Sequence, residues 1–183
     1  MQNVLSSRLD VAALALAALA SGALLAGAHI FEAFGYYPCN LCLDQREAHW
    51  AALGVAAAGL IVSLGFKARL VASAAVGAVA LVYLFSAGLA FYHTGVEFDF
   101  WPGPPTCSGG DQDYAGVDLG QALQDGPSGF SCEDAPWRLL GISMAGYNFL
   151  ASAGLFALCL GAALISTREV RRSPLGGPRN AGE

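Results

Sequence analysis

Read from its first residue, the chain alternates long stretches free of formal charge with short polar ones. Val11–Phe31, Ala48–Phe66, Leu70–Val96 and Leu139–Thr167 contain no Asp, Glu, Lys or Arg. A helix needs about 20 apolar residues to cross the hydrocarbon core, so each stretch is long enough to span it. The pattern predicts spans at about 11–31, 48–66, 70–92 and 141–166, with loops at about 32–47 and 93–138. The expected fold is an all-α membrane protein, a four-transmembrane-helix bundle forming one domain over 1–183. No repeat of fixed period is present, although both halves follow a span–loop–span plan. The small residues Ala20 to Ala23 have the texture of a signal-peptidase site. The stretch around them is about twice the length of a usual signal h-region, and Arg8 alone makes a poor n-region, so the first stretch is read as a retained span.

The spans are rich in Ala and Gly, with small residues four apart at Gly54 and Ala58 and at Ser73 and Gly77. In lipid, where no hydrophobic drive brings helices together, such residues permit close approach. The connection Lys67-Ala68-Arg69 is short enough to force spans two and three into an antiparallel hairpin. The long second loop opens with FDFWPGPPTC, where Pro102, Pro104 and Pro105 exclude regular structure up to Cys107. Phe98, Phe100 and Trp101 suit the headgroup layer. Further on, Val117, Leu119, Ala122 and Leu123 are spaced for a short surface helix, and residues 173–183 read as a disordered tail.

Charge adds orientation. With 55% hydrophobic and only 13% charged residues, the composition excludes an ordinary soluble domain. The segments outside the spans fall alternately on two sides. Arg8, Lys67, Arg69, Arg168, Arg171, Arg172 and Arg179, seven of the nine basic residues, share one side; Arg46 and Arg138 lie on the other. The positive-inside rule then places both termini in the cytoplasm. Cys39, Cys42, Cys107 and Cys132 fall in the two outer loops, on the side where disulfides persist, and Cys159 lies within the fourth span.

Three chemistries are open to such cysteines. A tetrahedral zinc site usually takes two CxxC pairs. Here one pair, PCNLC at 38–42, accompanies two isolated cysteines. An inert crosslink suits the second pair: a Cys107–Cys132 bridge would close a loop of about 26 residues and contribute about 3.5 kcal/mol on the chain-entropy model. It does not suit the first, because a CxxC bridge closes almost no loop. That spacing suits reversible dithiol–disulfide exchange. Pro38 breaks the chain just before Cys39, and the pair then sits at a helix N-terminus, where the dipole favours thiolate. Arg46, one helical turn beyond Cys42, can reach the same face, although it could equally snorkel to headgroups or pair with Asp44 or Glu47.

Other polar positions are weaker signals. His93, near the outer end of span three, could hydrogen-bond a cofactor or relay protons. His29 and Glu32 are spaced to pair on one helix face, His49 has no evident partner, and Cys159 reads as a small buried hydrophobe. Trp50, Trp101 and Trp137 fit an interfacial belt. No phosphate-binding Gly-rich loop, basic nucleic-acid patch or HExxH segment occurs. With no flavin or haem signature, a lipid-soluble two-electron carrier, a quinone, is the natural electron acceptor for the thiols.

These motifs resemble the disulfide bond formation protein B (DsbB) family of bacterial inner membranes. PCNLCLDQR at 38–46 is similar to the family's Pro-Cys-x-Leu-Cys-x-x-Gln-Arg signature. Tyr92-His93-Thr94 resembles its third-span end, and Cys132-Glu133, Trp137 and LLGISMAGYN resemble its approach to span four. The resemblance runs from residue 11 to about 165. It implies two periplasmic loops and a thiol:quinone oxidoreductase that reoxidises a DsbA-like periplasmic thioredoxin-fold partner, supporting disulfide formation in exported proteins. By the same resemblance Cys107 and Cys132 form the disulfide that receives the partner's electrons, with Cys107 attacked. Cys132 exchanges with Cys39, and Cys42 passes electrons to ubiquinone or menaquinone. Arg46 and His93 serve the cofactor, Arg46 by stabilising negative charge. The middle of the second loop, SGGDQDYAGVD, matches no family motif, and His29, Glu32 and Cys159 carry no family role. A vitamin K epoxide reductase-type enzyme is a rival, but in that family CxxC comes late in the chain. A DsbB paralogue with a dedicated partner and a non-catalytic metal-binding membrane protein are the other rivals.

Overall fold

The computed structural model describes residues 2–66, 69–107 and 131–172. Among them are four long helices, α1 (Gln2–Ala33), α2 (Asn40–Phe66), α3 (Arg69–Glu97) and α4 (Met144–Arg172). All four are long and apolar enough to cross a membrane. α3 lies along both α2 and α4, and α1 touches all three. Their shared core is Leu14 and Ala17 of α1, Ala52 and Ala56 of α2, Val76, Val79 and Tyr83 of α3, and Leu155 of α4. Leu19, Ile61, Leu81 and Phe85 point outward, the arrangement expected where the solvent is lipid tails.

Close approach occurs at a different small residue from those the spacing singled out. A Cβ on Gly59 would stand 2.7 Å from the Ala75 Cβ and 3.1 Å from a Leu14 methyl, so α1, α2 and α3 meet there. Gly54 and Gly77 face open space. A small residue favours approach only on the face turned to a neighbour, and spacing alone does not reveal that face. Asp10, which precedes the first charge-free stretch, is buried within the bundle. It accepts hydrogen bonds from Ser73 of α3 (2.7 Å) and Ser166 of α4 (2.6 Å), pinning three helices at that end.

The helices do not begin and end with the apolar stretches. α2 starts at Asn40, so residues 40–47, outside the expected span, form its first two turns, and the CxxC pair lies at the helix N-terminus that Pro38 marked. α3 runs on to Glu97, past the expected span end near 92, and His93 lies on it near its outer end. The start of the fourth span was expected near 141, but residues 138–143 form an antiparallel hairpin, β1 (Arg138–Leu139) and β2 (Ile142–Ser143), and α4 begins at Met144. The turn residues Leu140 and Gly141 both have positive φ, 52° and 81°, as a two-residue type I′ hairpin turn requires. The short helix around 117–123, the SGGDQDYAGVD stretch, Lys67 and the tail at 173–183 lie outside the described residues.

Gly59→Ala is expected to lower stability by about 1–3 kcal/mol, because neither the Ala75 methyl nor the α2 backbone has room to yield. Gly54→Ala, which meets nothing, should be neutral or slightly stabilising. Thermal unfolding of the two variants in detergent checks the contrast.

Candidate active site at the cysteine-bearing end

Three backbone devices bring the cysteines together. α1 ends in a Schellman motif: Gly35 has φ 92°, its N–H donates to Glu32 O (2.9 Å), and Tyr36 N–H donates to Phe31 O (3.1 Å). This reverses the chain so that Tyr37-Pro38 leads into α2. Cys39 is the N-cap of α2. Its carbonyl accepts the first helical bond from Leu43 (3.0 Å), and its sulfur accepts the Cys42 N–H (3.3 Å). At the end of α3, Trp101 lies against Gly95 so closely that any Cβ there would overlap its ring. Its indole N–H donates to Tyr92 O (2.9 Å), and the rings of Trp101 and Tyr92 stack with centroids 6.1 Å apart. The chain is thereby directed across the top of the bundle to a 3-10 turn, Pro105–Cys107, that packs on α2.

Cys107 is disulfide-bonded to Cys132, with the Cα atoms 5.2 Å apart. Both are buried in one cluster with Cys39, Leu41 and Val96, and Cys42 packs on its edge. Cys39 and Cys42 carry sulfurs 2.7 Å apart, so the pair needs no rearrangement to form a bond. The Cys39 thiol is held above the usual thiol range, first by its hydrogen bond to the Cys42 sulfur and then by burial; the backbone N–H from Cys42 acts more weakly in the opposite sense. A helix N-terminus does not by itself make its capping cysteine acidic.

Behind the cysteines runs a chain of buried polar side chains. His93 Nε2 lies 3.6 Å from the Cys39 sulfur and 3.9 Å from Glu97 Oε1. Gln45 Nε2 lies 2.8 Å from His93 Nδ1 and donates to Leu41 O (3.1 Å). Asn148 of α4 joins Gln45 Oε1 (2.6 Å) to His49 Nε2 (2.7 Å), and His49 Nδ1 meets the Ser21 hydroxyl of α1 (3.3 Å). Ser21 in turn meets Tyr83 OH (2.8 Å). Glu97 is tied to Ser143 of β2. His49 thus has partners on two other helices.

Beside this chain lies a cavity of about 290 Å³. Leu24, Gly27 and Phe31 of α1 and the ring of Trp137 give it apolar walls; Cys42, Arg46, His49, His93 and Asn148 give it a polar side. Trp137 is held edge-on by Phe31, with centroids 5.2 Å apart, and lines the cavity. Arg46 does not pair with Asp44 or Glu47. It binds Glu32 (2.6 Å) and the Ala28 carbonyl (3.2 Å), and Glu32 also meets His29 (3.5 Å). Six residues singled out from sequence, Cys39, Cys42, Cys107, Cys132, Arg46 and His93, therefore meet at one end of the bundle, whereas Cys159 is buried in the core away from them. Gln45, Glu97 and Asn148 were not singled out. For Glu97, between Val96 and Phe98, and Asn148, between Tyr147 and Phe149, the signal was a polar side chain with apolar or aromatic neighbours, where lipid leaves no other partner than protein; Gln45, between Asp44 and Arg46, carried no such signal.

The pairing of Cys107 with Cys132 leaves no four-cysteine metal set. Among the described residues, Cys39, Cys42 and His93 bring potential donor atoms within 4.8 Å of one another. A cavity with apolar walls and convergent polar groups suits a quinone ring, with Cys42, Arg46 and His93 the residues that would face it.

Because its folded pKa is raised, Cys39 in the reduced protein should stay protonated at neutral pH. Its alkylation should set in only above the ordinary thiol midpoint of about 8.5. Iodoacetamide labelling across pH, read by peptide mass spectrometry, checks this; a midpoint at or below that value contradicts it.

No curated protein and no solved structure matches the chain. One family model does, that of disulfide bond formation protein DsbB, over residues 10–162. With four helices able to span a bilayer and this match over most of its length, the chain is a multi-pass membrane protein that belongs to the DsbB family of disulfide bond formation proteins.

Proposed function

We propose that this protein is a thiol:quinone oxidoreductase of the bacterial inner membrane, reoxidising a DsbA-like periplasmic dithiol partner at the expense of ubiquinone or menaquinone. One observation carries the reading above all: both cysteine pairs share one buried cluster, and Cys42 at its edge lines the cavity. The seven-to-two distribution of basic residues supports a periplasmic position for that end.

The relay runs by thiolate attack. A thiolate of the partner attacks Cys107, the Cys107–Cys132 bond breaks, and the bonding pair stays on Cys132. The partner's second thiol attacks the mixed disulfide, releasing Cys107 and leaving the partner oxidised. Cys132 attacks Cys39 of the oxidised first pair, and the pair of the broken bond passes to Cys42, one helical turn from Arg46. Cys107 then attacks Cys132, which restores the second disulfide and releases Cys39 with the bonding pair. The Cys39/Cys42 dithiol so left can give two electrons and two protons and return to its disulfide. A bound quinone supplies a two-electron, two-proton acceptor there. Cys42 presents its sulfur to the cavity, and Arg46, fixed by Glu32 and the Ala28 carbonyl, keeps positive charge beside it. The apolar walls exclude the water that would screen that charge.

One observation favours a second reading, metal binding without turnover: the convergence of Cys39, Cys42 and His93. Stoichiometric zinc on the purified protein, with no quinone reduction, would support it.

Purified protein given a reduced thioredoxin-fold donor and a quinone should reduce the quinone. Cys42→Ser and Cys107→Ser should fall to background, and Arg46→Ala should lose tenfold or more, about what one charge-assisted contact contributes. Turnover surviving Cys107→Ser would make the second pair only a loop crosslink.

A further inference from the structure

Two buried histidines, His49 and His93, are joined by two amides, and one backbone carbonyl settles the direction of every bond between them. Leu41 O can only accept, so the Gln45 atom beside it at 3.1 Å is the NH₂ group. The same NH₂ lies 2.8 Å from His93 Nδ1, which must therefore be bare. Gln45 then presents its oxygen to Asn148, which must answer with its own NH₂ (2.6 Å). Asn148 Oδ1 is left for His49 Nε2 (2.7 Å) and for the Ser152 hydroxyl (3.3 Å), so His49 carries its proton on Nε2 and offers a bare Nδ1 to Ser21. Reversing Gln45 would set oxygen against oxygen at Leu41, and reversing Asn148 alone would set its oxygen against that of Gln45. Gln45, His49 and His93 are each about 95% or more buried, so water cannot repair a reversed bond.

We infer that Gln45, held in place by Asn148 and His49, fixes His93 as the Nε2–H tautomer and makes it a permanent hydrogen-bond donor toward the Cys39 sulfur. The donor stands 3.6 Å from that sulfur, and the ring has Glu97 (3.9 Å) and the Cys132 backbone as further hydrogen-bond partners. When a disulfide at Cys39 breaks with Cys39 as the leaving group, the bonding pair stays on its sulfur, and the N–H is already aimed there. In this state His93 has no bare nitrogen facing Cys39, so it steadies charge on that sulfur and does not remove its proton. Gln45, Asn148 and His49 act as positioning residues through His93. The inference deepens the proposed relay, but the tautomer belongs to the resting protein and is read without turnover.

The chain has three histidines, which makes the test direct. Protein labelled with ¹⁵N-histidine in lipid nanodiscs should show His93 and His49 each with a pyridine-type Nδ1 and a pyrrole-type, protonated Nε2; His93→Gln and His49→Gln assign the signals. Gln45→Glu places an acceptor where the donor stood, so Nδ1 of His93 should gain a proton and lose its pyridine-type shift. Asn148→Leu should give mixed His93 tautomers and slow exchange at Cys39 about tenfold, the order expected for one charge-assisted hydrogen bond. A protonated Nδ1 on His93 in the wild type, or a bare one in Gln45→Glu, would overturn the inference even if quinone turnover were intact. An unchanged tautomer in Asn148→Leu would remove Asn148 and His49 from it. Absent turnover with the expected wild-type spectrum would instead defeat the proposed function and leave the tautomer standing.

Discussion

The hydrogen bond from Asn148 to Gln45 joins the second helix to the fourth, and most of the cysteine-bearing end depends on it. Within a bilayer an unpaired amide has no water to turn to and costs several kcal/mol, on the order seen for polar groups moved into hydrocarbon. Polar side chains on different helices must therefore find one another, and doing so sets how each helix is rotated about its axis. Once Gln45 faces Asn148, the rest of that face of α2 follows: Cys42 three residues before, Arg46 beside it and His49 four residues after come to the same side. Ser86 and Ser152, 3.0 Å apart between α3 and α4, and Tyr83 with Ser21 extend the polar layer across the bundle. Apolar packing is a poor substitute, because lipid tails solvate Leu and Val almost as well as a neighbouring helix does.

Rotation alone does not make a site; the chain must also be turned back over the bundle. Each reversal rests on a residue chosen for its backbone or its size. Gly35 accepts the left-handed conformation that ends α1, Gly95 leaves room for the Trp101 ring, and Leu140-Gly141 makes the tight hairpin before α4. Between them they bring Cys39, Cys107 and Cys132 into one cluster although the chain separates the first from the last by 93 positions. The hairpin also carries Ser143, which holds Glu97 beside His93.

How much of this was legible in the sequence depended on range. The spans were legible because hydrocarbon thickness imposes a minimum length on any apolar run, and the cysteines because CxxC chemistry is local. Helix ends were less so. Residues 40–47 are polar and fell outside the expected span, although Pro38 and the CxxC pair marked the helix N-terminus that Cys39 caps. Residues 141–143 are mostly apolar and were expected to open the fourth span, yet a two-residue turn folds them into a hairpin with 138–140. Gln45, Asn148 and Glu97 were missed because their partners are far away in the chain, Asn148 lying 103 positions from Gln45. Nothing local says which face of a helix meets which neighbour. The same ignorance of rotation put close approach at Gly54 and Gly77 when it occurs at Gly59.

The charges at the site compensate one another to a degree that constrains how it can work. Among the described residues Arg46 is the one Lys or Arg lining the cavity, and it is already paired with Glu32 at 2.6 Å. A guanidinium so engaged has spent one N–H on a carboxylate and another on Ala28 O, but its five donors leave others free. The Glu32 contact therefore acts as a clamp: it removes the cost of holding a bare charge in an apolar wall and fixes which N–H groups remain for the cavity. Beside that charge, oriented groups meet the Cys39 sulfur directly: the Cys42 N–H at the α2 N-terminus and the His93 ring. In the proposed relay negative charge passes from one sulfur to another, and groups already oriented need no reorganisation to meet it, whereas a mobile lysine would have to follow it. Such a fixed frame serves that relay better than a single strong cation.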